Sequence, residues 1–457
     1  MKFTRIIKGQ PKKCVLDLNN IFDMEVSSFL NKSAVIQGKE NSKYINELFI
    51  YFFRYYYAIS QKVEYCSEYQ VNGIIDTKFK MILQSINNKH GYLSCKRSKL
   101  LFHLQNIKFI FIAIINLMFV TISLFLFICI NSILSSKPVL NNSIILERTQ
   151  AARTKFKWYK ENLNCSIIIE QLRFNNIFYS TIRLGNIFSL TYFLIINIFR
   201  DIKFLLNYSK IYLSADLFPF ILYYYSKRIP HAIVYEYSLK CLLSQNVTEV
   251  YTGNNLDRFA LVEEKVSKVN KVRLINVPHG IEYGFLLPHC FTGDLFYTYS
   301  KEGSIQLNKN YNTNKFKFSE EVVSRMLSRN YYSKVDKSYV FFTEPFEIEI
   351  NRTIIKYLKE ISLINGFKFY VKLHPRDNKT NYDDLEVNFI IDFEDSITNN
   401  ICIARKSTVL LESIYNGSKS IAVLLSESDK FVFNQFPSLQ DYRIIKVYDL
   451  KQLKEYL

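Results

Sequence analysis

Glycine and proline are scarce, at 12 and 9 residues in 457, and there is one tryptophan. That excludes collagen-like repeats and linker-rich arrays, which need one or both in quantity. The eight cysteines never approach closer than 29 residues, so there is no CxxC pair and no zinc-ribbon spacing. Secreted disulfide scaffolds crowd cysteines into short chains, and the simplest reading here is unpaired thiols in a reducing compartment. Neither GxGxxG nor GxxxxGK[ST] occurs, which removes P-loop and dinucleotide-fingerprint enzymes. Met1 to Cys14 is polar and basic with no apolar stretch behind it, so no signal peptide is expected.

What is present is aromatic and basic. The chain has 33 Tyr and 38 Phe, is 49% hydrophobic, and carries 59 Lys+Arg against 41 Asp+Glu, a formal charge of +18. The basic residues are dispersed, and no RNP, helix-turn-helix or zinc motif accompanies them, which argues against nucleic acid as a partner. The length suits two or three domains. One stretch points to a membrane: Phe109–Ile130 is apolar apart from Asn116, Thr121 and Ser123. As a helix those residues would reach about 33 Å, near the thickness of a bilayer core. Basic residues flank both ends (Lys99 and Lys108 before, Lys137 and Arg148 after), so the positive-inside rule gives no orientation. A spanning, in-plane or buried helix all fit. Ile187–Phe199 is too short to span and is expected to be a core helix. Tyr44–Tyr65 has aromatics on several faces, which suits a buried helix.

From about residue 150 short apolar runs alternate with helical patterns. Strands are predicted at Glu249–Thr252, Val272–Val277 and Asp294–Tyr299, with a helix at Leu256–Val269. Lys301–Lys337 is polar and reads as an interdomain connection. The rhythm then restarts. Strands are predicted at Tyr339–Thr343, Lys368–Leu373, Asn400–Ala404 and Lys419–Leu425, and helices at Ile348–Ile364 and Ser407–Tyr415. The βαβα order implies α/β architecture with parallel sheets. The expected division is a helical N-terminal region (1–149), an acceptor-side Rossmann-like domain (150–335) and a nucleotide-sugar-binding one (336–457). Ligands of such sheets bind beyond the carboxyl ends of the strands.

Three constellations stand at predicted strand exits. Pro278-His279-Gly280 with Glu282 places a group that titrates near neutrality beside a residue permitting close approach, which suits a general base. The plain alternative is a turn. In His374-Pro375-Arg376 the proline fixes the loop, and the arginine fork matches phosphate or carboxylate. The alternative is a capped loop with a surface Arg–Asp377 pair. Arg405-Lys406-Ser407-Thr408, followed by Glu412 and Gly417, puts hydroxyls and cations at a helix start, where anions are favoured. An ordinary N-cap would look similar.

With all three in order, residues 245–425 resemble bacterial GT-B-type glycosyltransferases that build capsule, lipopolysaccharide or related surface polymers. His279-Gly280 is similar to the His-Gly of Kdo-type and polyol-phosphate transferases. His374-Pro375 and Ser407-Thr408 resemble the His-Pro and paired Ser/Thr of sialyltransferases, and Glu412 to Gly417 resembles the Glu-x4-Gly of many GT-B enzymes. The acidic pair and glycine of sialyltransferases are missing, with His279-Gly280 in their place. The resemblance implies two Rossmann-like domains facing a cleft and sugar transfer from a nucleotide-sugar donor to a saccharide or lipid-linked acceptor. His279 or Glu282 would act as base. His374, Pro375, Arg376, Arg405, Lys406, Ser407, Thr408 and Glu412 would hold the donor nucleotide. Asp383-Asp384 lies in a polar loop rather than at a strand exit, so no metal and no cofactor are expected. The enzyme would work on the anionic inner-membrane surface at its cytoplasmic face, either membrane-associated or single-pass. The alternatives are a CDP-polyol phosphate transferase of the teichoic-acid type and a non-catalytic membrane-associated binding protein.

Overall fold

The computed structural model describes residues 2–4, 13–18, 21, 42–73, 76–92, 96–134, 140–148, 153, 156, 165–170, 172, 176–277, 280–329, 336–345 and 347–457. Two compact units divide the chain. Unit one comprises Met1–Gln150, Leu163–Asn276 and Leu286–Asp294; unit two comprises Ala151–Asn162, Val277–Phe285 and Leu295–Leu457.

Unit one opens with a small sheet of β1 (Lys2–Thr4), β2 (Lys13–Asp17) and β3 (Glu68–Asn72), in which β3 lies between the other two. Pairing β2 in parallel with β3 brings Cys14 beside Cys66, and the two form a disulfide across 52 residues of sequence. This corrects the expectation of unpaired thiols: sequence spacing alone conceals a pair that a sheet brings together. Cys129, Cys165, Cys241 and Cys402 are free thiols, and Cys95 lies outside the described residues. The stretch Ile45–Glu64 is continuously helical with a wide turn at Phe49–Phe53, and it is largely buried, as its aromatics predict.

Behind it, β4 (Ser143–Glu147), β5 (Cys165–Ile169), β6 (Glu249–Thr252) and β7 (Arg273–Asn276) run parallel in the order β5-β4-β6-β7. The helices of this unit include α1 (Lys96–Leu134), α2 (Ile187–Tyr212), α3 (Arg228–Leu243) and α4 (Arg258–Asn270). Helix α4 starts where Asp257 accepts from the Phe259 and Ala260 amides, an N-cap that satisfies two of the orphan donors there. Helix α2 departs from expectation. It extends past Phe199 to Tyr212, and Phe188, Tyr192, Ile195 and Phe199 are exposed rather than in a core.

In unit two, β8 (Leu295–Tyr297) and β9 (Phe316–Lys317) pair in parallel. The stretch expected to be a connection holds α5 (Lys301–Tyr311) and α6 (Glu320–Leu327), capped by Ser300 and Ser319. Their exposed faces are polar enough to hide the helical pattern. The main sheet of this unit has six parallel strands: β10 (Ser338–Phe342), β11 (Lys368–Lys372), β12 (Asn388–Phe389), β13 (Ile401–Ala404), β14 (Lys419–Val423) and β15 (Ile444–Val447). Their order is β12-β11-β10-β13-β14-β15. Every residue of β10 and β13 is buried, the mark of a parallel sheet covered on both faces. Tyr339, Phe341, Ile355, Leu358, Ile403 and Ile421 form its core with α7 (Ile348–Asn365). Gly366 ends α7 at φ +69°, a left-handed turn that favours glycine, as Asn365-Gly366 predicts. The α/β class with parallel sheets expected from the sequence is the observed one.

Candidate functional site

In the unit-two sheet β11 lies on one side of β10 and β13 on the other. This order places the topological switch point between the carboxyl ends of β10 and β13, where open α/β sheets hold ligands. Thr343 and Glu344 follow β10, His374 follows β11 by two residues, and Arg405 and Lys406 follow β13. His374 is fixed on both sides. Its amide donates to Thr343 Oγ1 at 3.0 Å, and its Nδ1 accepts the Arg376 amide at 3.1 Å. An Nδ1 acting as acceptor leaves the proton on Nε2, so the ring offers a donor. Burial, with Arg376 adding to it, lowers its pKa and keeps it neutral near pH 7. Pro375 and Arg376 are exposed on the turn.

The loop is braced from below. Asp377 accepts from the Tyr382 hydroxyl at 2.7 Å, and Asn351 donates to that same oxygen at 2.9 Å. Asn351 Oδ1 accepts from Arg405 Nη1 at 3.3 Å. Arg405 is wholly buried and grips Asp429 on α9 (Glu427–Asn434) with Nε at 2.9 Å and Nη2 at 2.7 Å, while Nη2 also meets Glu347. Lys406 reaches Asp429 at 3.0 Å and Glu347 at 3.5 Å. Glu347 itself adopts φ +55°, a conformation non-glycine residues seldom take.

A second group in the same unit forms a small pocket. Gly280, Ile281, Tyr299, Thr408 and Glu412 line it. Glu412 is held by Arg329 Nη2 at 3.3 Å and lies in the first turn of α8 (Val409–Ile414). Ser407 Oγ accepts the Val409 amide at 3.4 Å, and Thr408 is exposed at the N-cap with no side-chain cap bond. Glu282 does not line this pocket. It is fully buried, and Ser438 donates to its Oε1. Burial pushes its carboxyl up to about 7. A Cβ on Gly303 would overlap both Glu282 Oε1 and the Ser438 hydroxyl. Gly303→Ala is therefore expected to destabilise the protein by about 1–3 kcal/mol, read as a lowered urea midpoint with unchanged slope.

Unit one has its own strand-end cluster. Its switch point lies between β4 and β6, where Arg148 Nε donates to Asn254 Oδ1 at 3.0 Å and Nη2 pairs with Asp257. Behind this, the Tyr235 hydroxyl is within 2.9 Å of Glu170 Oε1 and 2.7 Å of Glu263 Oε1. All three residues are buried. The hydroxyl has one proton and can donate it to only one of the two carboxyl groups at a time, while Asn254 Nδ2 also donates to Glu263 Oε1 at 2.5 Å. Burial, before any neighbouring charge, raises Glu170 well above the usual carboxylate range and lifts Glu263 to about 7.

No protein-family model matches the sequence, and no curated protein matches it. Among solved structures, a UDP-GlcNAc 2-epimerase from Methanocaldococcus jannaschii in complex with UDP-GlcNAc and UDP is similar at 12% identity and a TM-score of 0.35, over 68% of this chain and 90% of that one. A further structure of UDP-GlcNAc 2-epimerase from the same organism has 14% identity and a TM-score of 0.38 over the same shares. Likenesses this distant carry neither substrate nor mechanism across.

The predicted residues thus fall into three groups. His374, Pro375 and Arg376 occupy the β11 exit, and Lys406, Ser407, Thr408 and Glu412 the β13 exit and the start of α8. Glu282 and Arg405 change role: both are sealed from solvent, so Glu282 cannot reach an acceptor hydroxyl and Arg405 spends its fork on Asp429 and Glu347. His279 lies outside the described residues, and its neighbour Gly280 lines the Glu412 pocket. Asp384 is bound by Arg352 Nη1 at 2.8 Å within a 3-10 turn away from any strand exit. The Glu170–Tyr235–Glu263 cluster escaped sequence reasoning. Only Glu170, directly after an apolar run, carried a local sign; Tyr235 and Glu263 lie inside helices, where position along the chain says nothing of their convergence.

Proposed function

We propose that this chain is a metal-independent GT-B-type glycosyltransferase of bacterial surface polysaccharide synthesis. It would move a sugar from a nucleotide-sugar donor to a saccharide or lipid-linked acceptor at the cytoplasmic face of the inner membrane. The observation that supports this reading most is the pinned His374. A neutral imidazole with its proton on Nε2, next to the exposed Arg376 and beside the switch point, is a preorganised donor set for a nucleotide phosphate. Lys406 and the Ser407 and Thr408 hydroxyls add to it from the β13 exit, across β10, and Glu412 offers a carboxylate for ribose hydroxyls.

In the reaction the acceptor hydroxyl loses its proton to a base and its oxygen forms a bond to the anomeric carbon. The bond from that carbon to the nucleotide phosphate breaks, and the phosphate leaves with the electron pair. With Glu282 sealed, His279 is the base we assign. Donors aimed at the departing phosphate stabilise the charge that develops there.

A thermal-shift screen against UDP, CMP, CDP, GDP and CMP-sialic acid tests the reading. One nucleotide should stabilise the protein by about 2.7 kcal/mol at a hundredfold excess over its Kd, and His374→Ala and Glu412→Ala should each remove the shift. A response to CDP with CDP-polyol turnover would move the assignment to polyol phosphate transfer. Folded protein that responds to no nucleotide would overturn the transferase reading.

A further inference from the structure

Helix α1 is packed along one side only. Phe102, Asn106, Phe109, Ala113, Leu117 and Leu124 are buried, at the three- and four-residue steps of a single helical face. The opposite face is equally apolar and open: Phe111 is 65% exposed, Met118 61%, Phe119 69% and Ile122 56%. Soluble helices put polar residues there. Helix α2 repeats the pattern, with Phe188 exposed by 89%, Tyr192 by 70% and Phe199 by 71%. The short turn Leu184–Asn186 before α2 touches both helices.

The buried face of α1 excludes a crossing. Asn106 donates to the Asp216 carbonyl at 3.1 Å, Asn116 to Ser226 Oγ at 3.2 Å and Asn131 to the Asn176 carbonyl at 3.3 Å. These contacts follow the helix for about 38 Å, so a spanning α1 would carry Asp216, Lys227 and Arg228 into hydrocarbon. Segments before and after α1 are also bonded directly. Tyr44 OH donates to Asp201 at 3.0 Å, Asn88 to Asp216 at 2.6 Å, and Arg258 pairs with Glu47 at 2.9 Å. A bilayer cannot pass between groups in contact.

Charge indicates which surface covers this face. Lys99, Lys108, Arg200, Lys203 and Lys210 are exposed on the two helices, α1 contains no carboxylate, and the single one of α2, Asp201, is buried. Two helices that expose apolar side chains and cations but no carboxylate match an anionic lipid surface. We propose that unit one docks on an anionic bilayer with α1 lying in the plane of the interface, its exposed face in the headgroup–acyl boundary, and both of its ends on the same side of the membrane. This deepens the membrane-surface part of the proposed function and does not depend on the donor chemistry.

Sedimentation of the full chain with vesicles tests it. The protein should partition to phosphatidylcholine–phosphatidylglycerol vesicles and much less to phosphatidylcholine alone. Lys203→Gln should weaken binding about fivefold. Phe119→Asp with Phe188→Asp should weaken it more than tenfold while leaving the thermal midpoint unchanged, since both side chains are exposed. In sealed membrane vesicles from expressing cells, thiols added by Ser98→Cys and Leu134→Cys should react with an impermeant maleimide from the same side. Reaction from opposite sides would establish a spanning helix and overturn the proposal. It would also fall if no vesicle bound the protein, or if the two Asp substitutions dispersed a dimer instead. Nucleotide-induced stabilisation, measured without lipid, would stand or fall separately.

Discussion

Arg405→Met is expected to cost about 3–5 kcal/mol of folding stability. The guanidinium is fully buried against an equally buried Asp429, with Glu347 at its other edge. Removing it strands a carboxylate where water cannot compensate. Lys406, 3.0 Å from Asp429, keeps one partner and holds the loss toward the lower end. Arg405→Lys should recover part of it, because an ammonium cannot reproduce the two-pronged grip. Pairing Arg405→Met with Asp429→Leu should recover more, since no charge is then left unpaired. Urea unfolding of the four proteins measures these differences. A loss under about 1 kcal/mol for Arg405→Met would show that the arginine is not a lock and would return it to the donor site.

Glu282→Gln is expected to make the protein more stable above neutral pH. Burial lifts this carboxyl to about 7 from its ordinary value of 4.5, so between those limits the folded protein holds a proton that the unfolded chain has released. Stability from this group is full below about pH 4.5 and is lost as pH rises through 7. Glutamine cannot ionise, and its carbonyl still accepts from Ser438. The two proteins should therefore be alike near pH 4, with the variant ahead by roughly 3 kcal/mol at pH 8. Glu170 and Glu263 push in the same direction in both proteins and cancel in the difference. Thermal midpoints across this range decide it. Equal midpoints at pH 8 would mean that water reaches the carboxylate, reviving Glu282 as a candidate base.

Much of the unit-two architecture was legible from local pattern. The strands at β10, β11, β13 and β14 and the Gly366 stop of α7 lie within a residue or two of expectation, because parallel strands buried on both faces are continuous apolar runs and a left-handed helix end favours glycine. The exits after β11 and β13 were legible for the same reason: a polar cluster following such a run must lie at the sheet's carboxyl edge. The weakly apolar pieces were not. Helices α5 and α6 hid in a polar stretch, since each buries only a narrow stripe.

The sequence by itself determined chemistry and order: which residue types occupy the strand exits, and that Phe109–Ile130 is apolar apart from Asn116, Thr121 and Ser123. Only the tertiary structure decided accessibility. It sealed Glu282 and Arg405 while leaving Arg376 and Thr408 open, brought Cys14 to Cys66, and assembled Glu170, Tyr235 and Glu263 from three separate elements. Burial depends on what packs against a residue from elsewhere in the chain, and local periodicity contains no record of that neighbour.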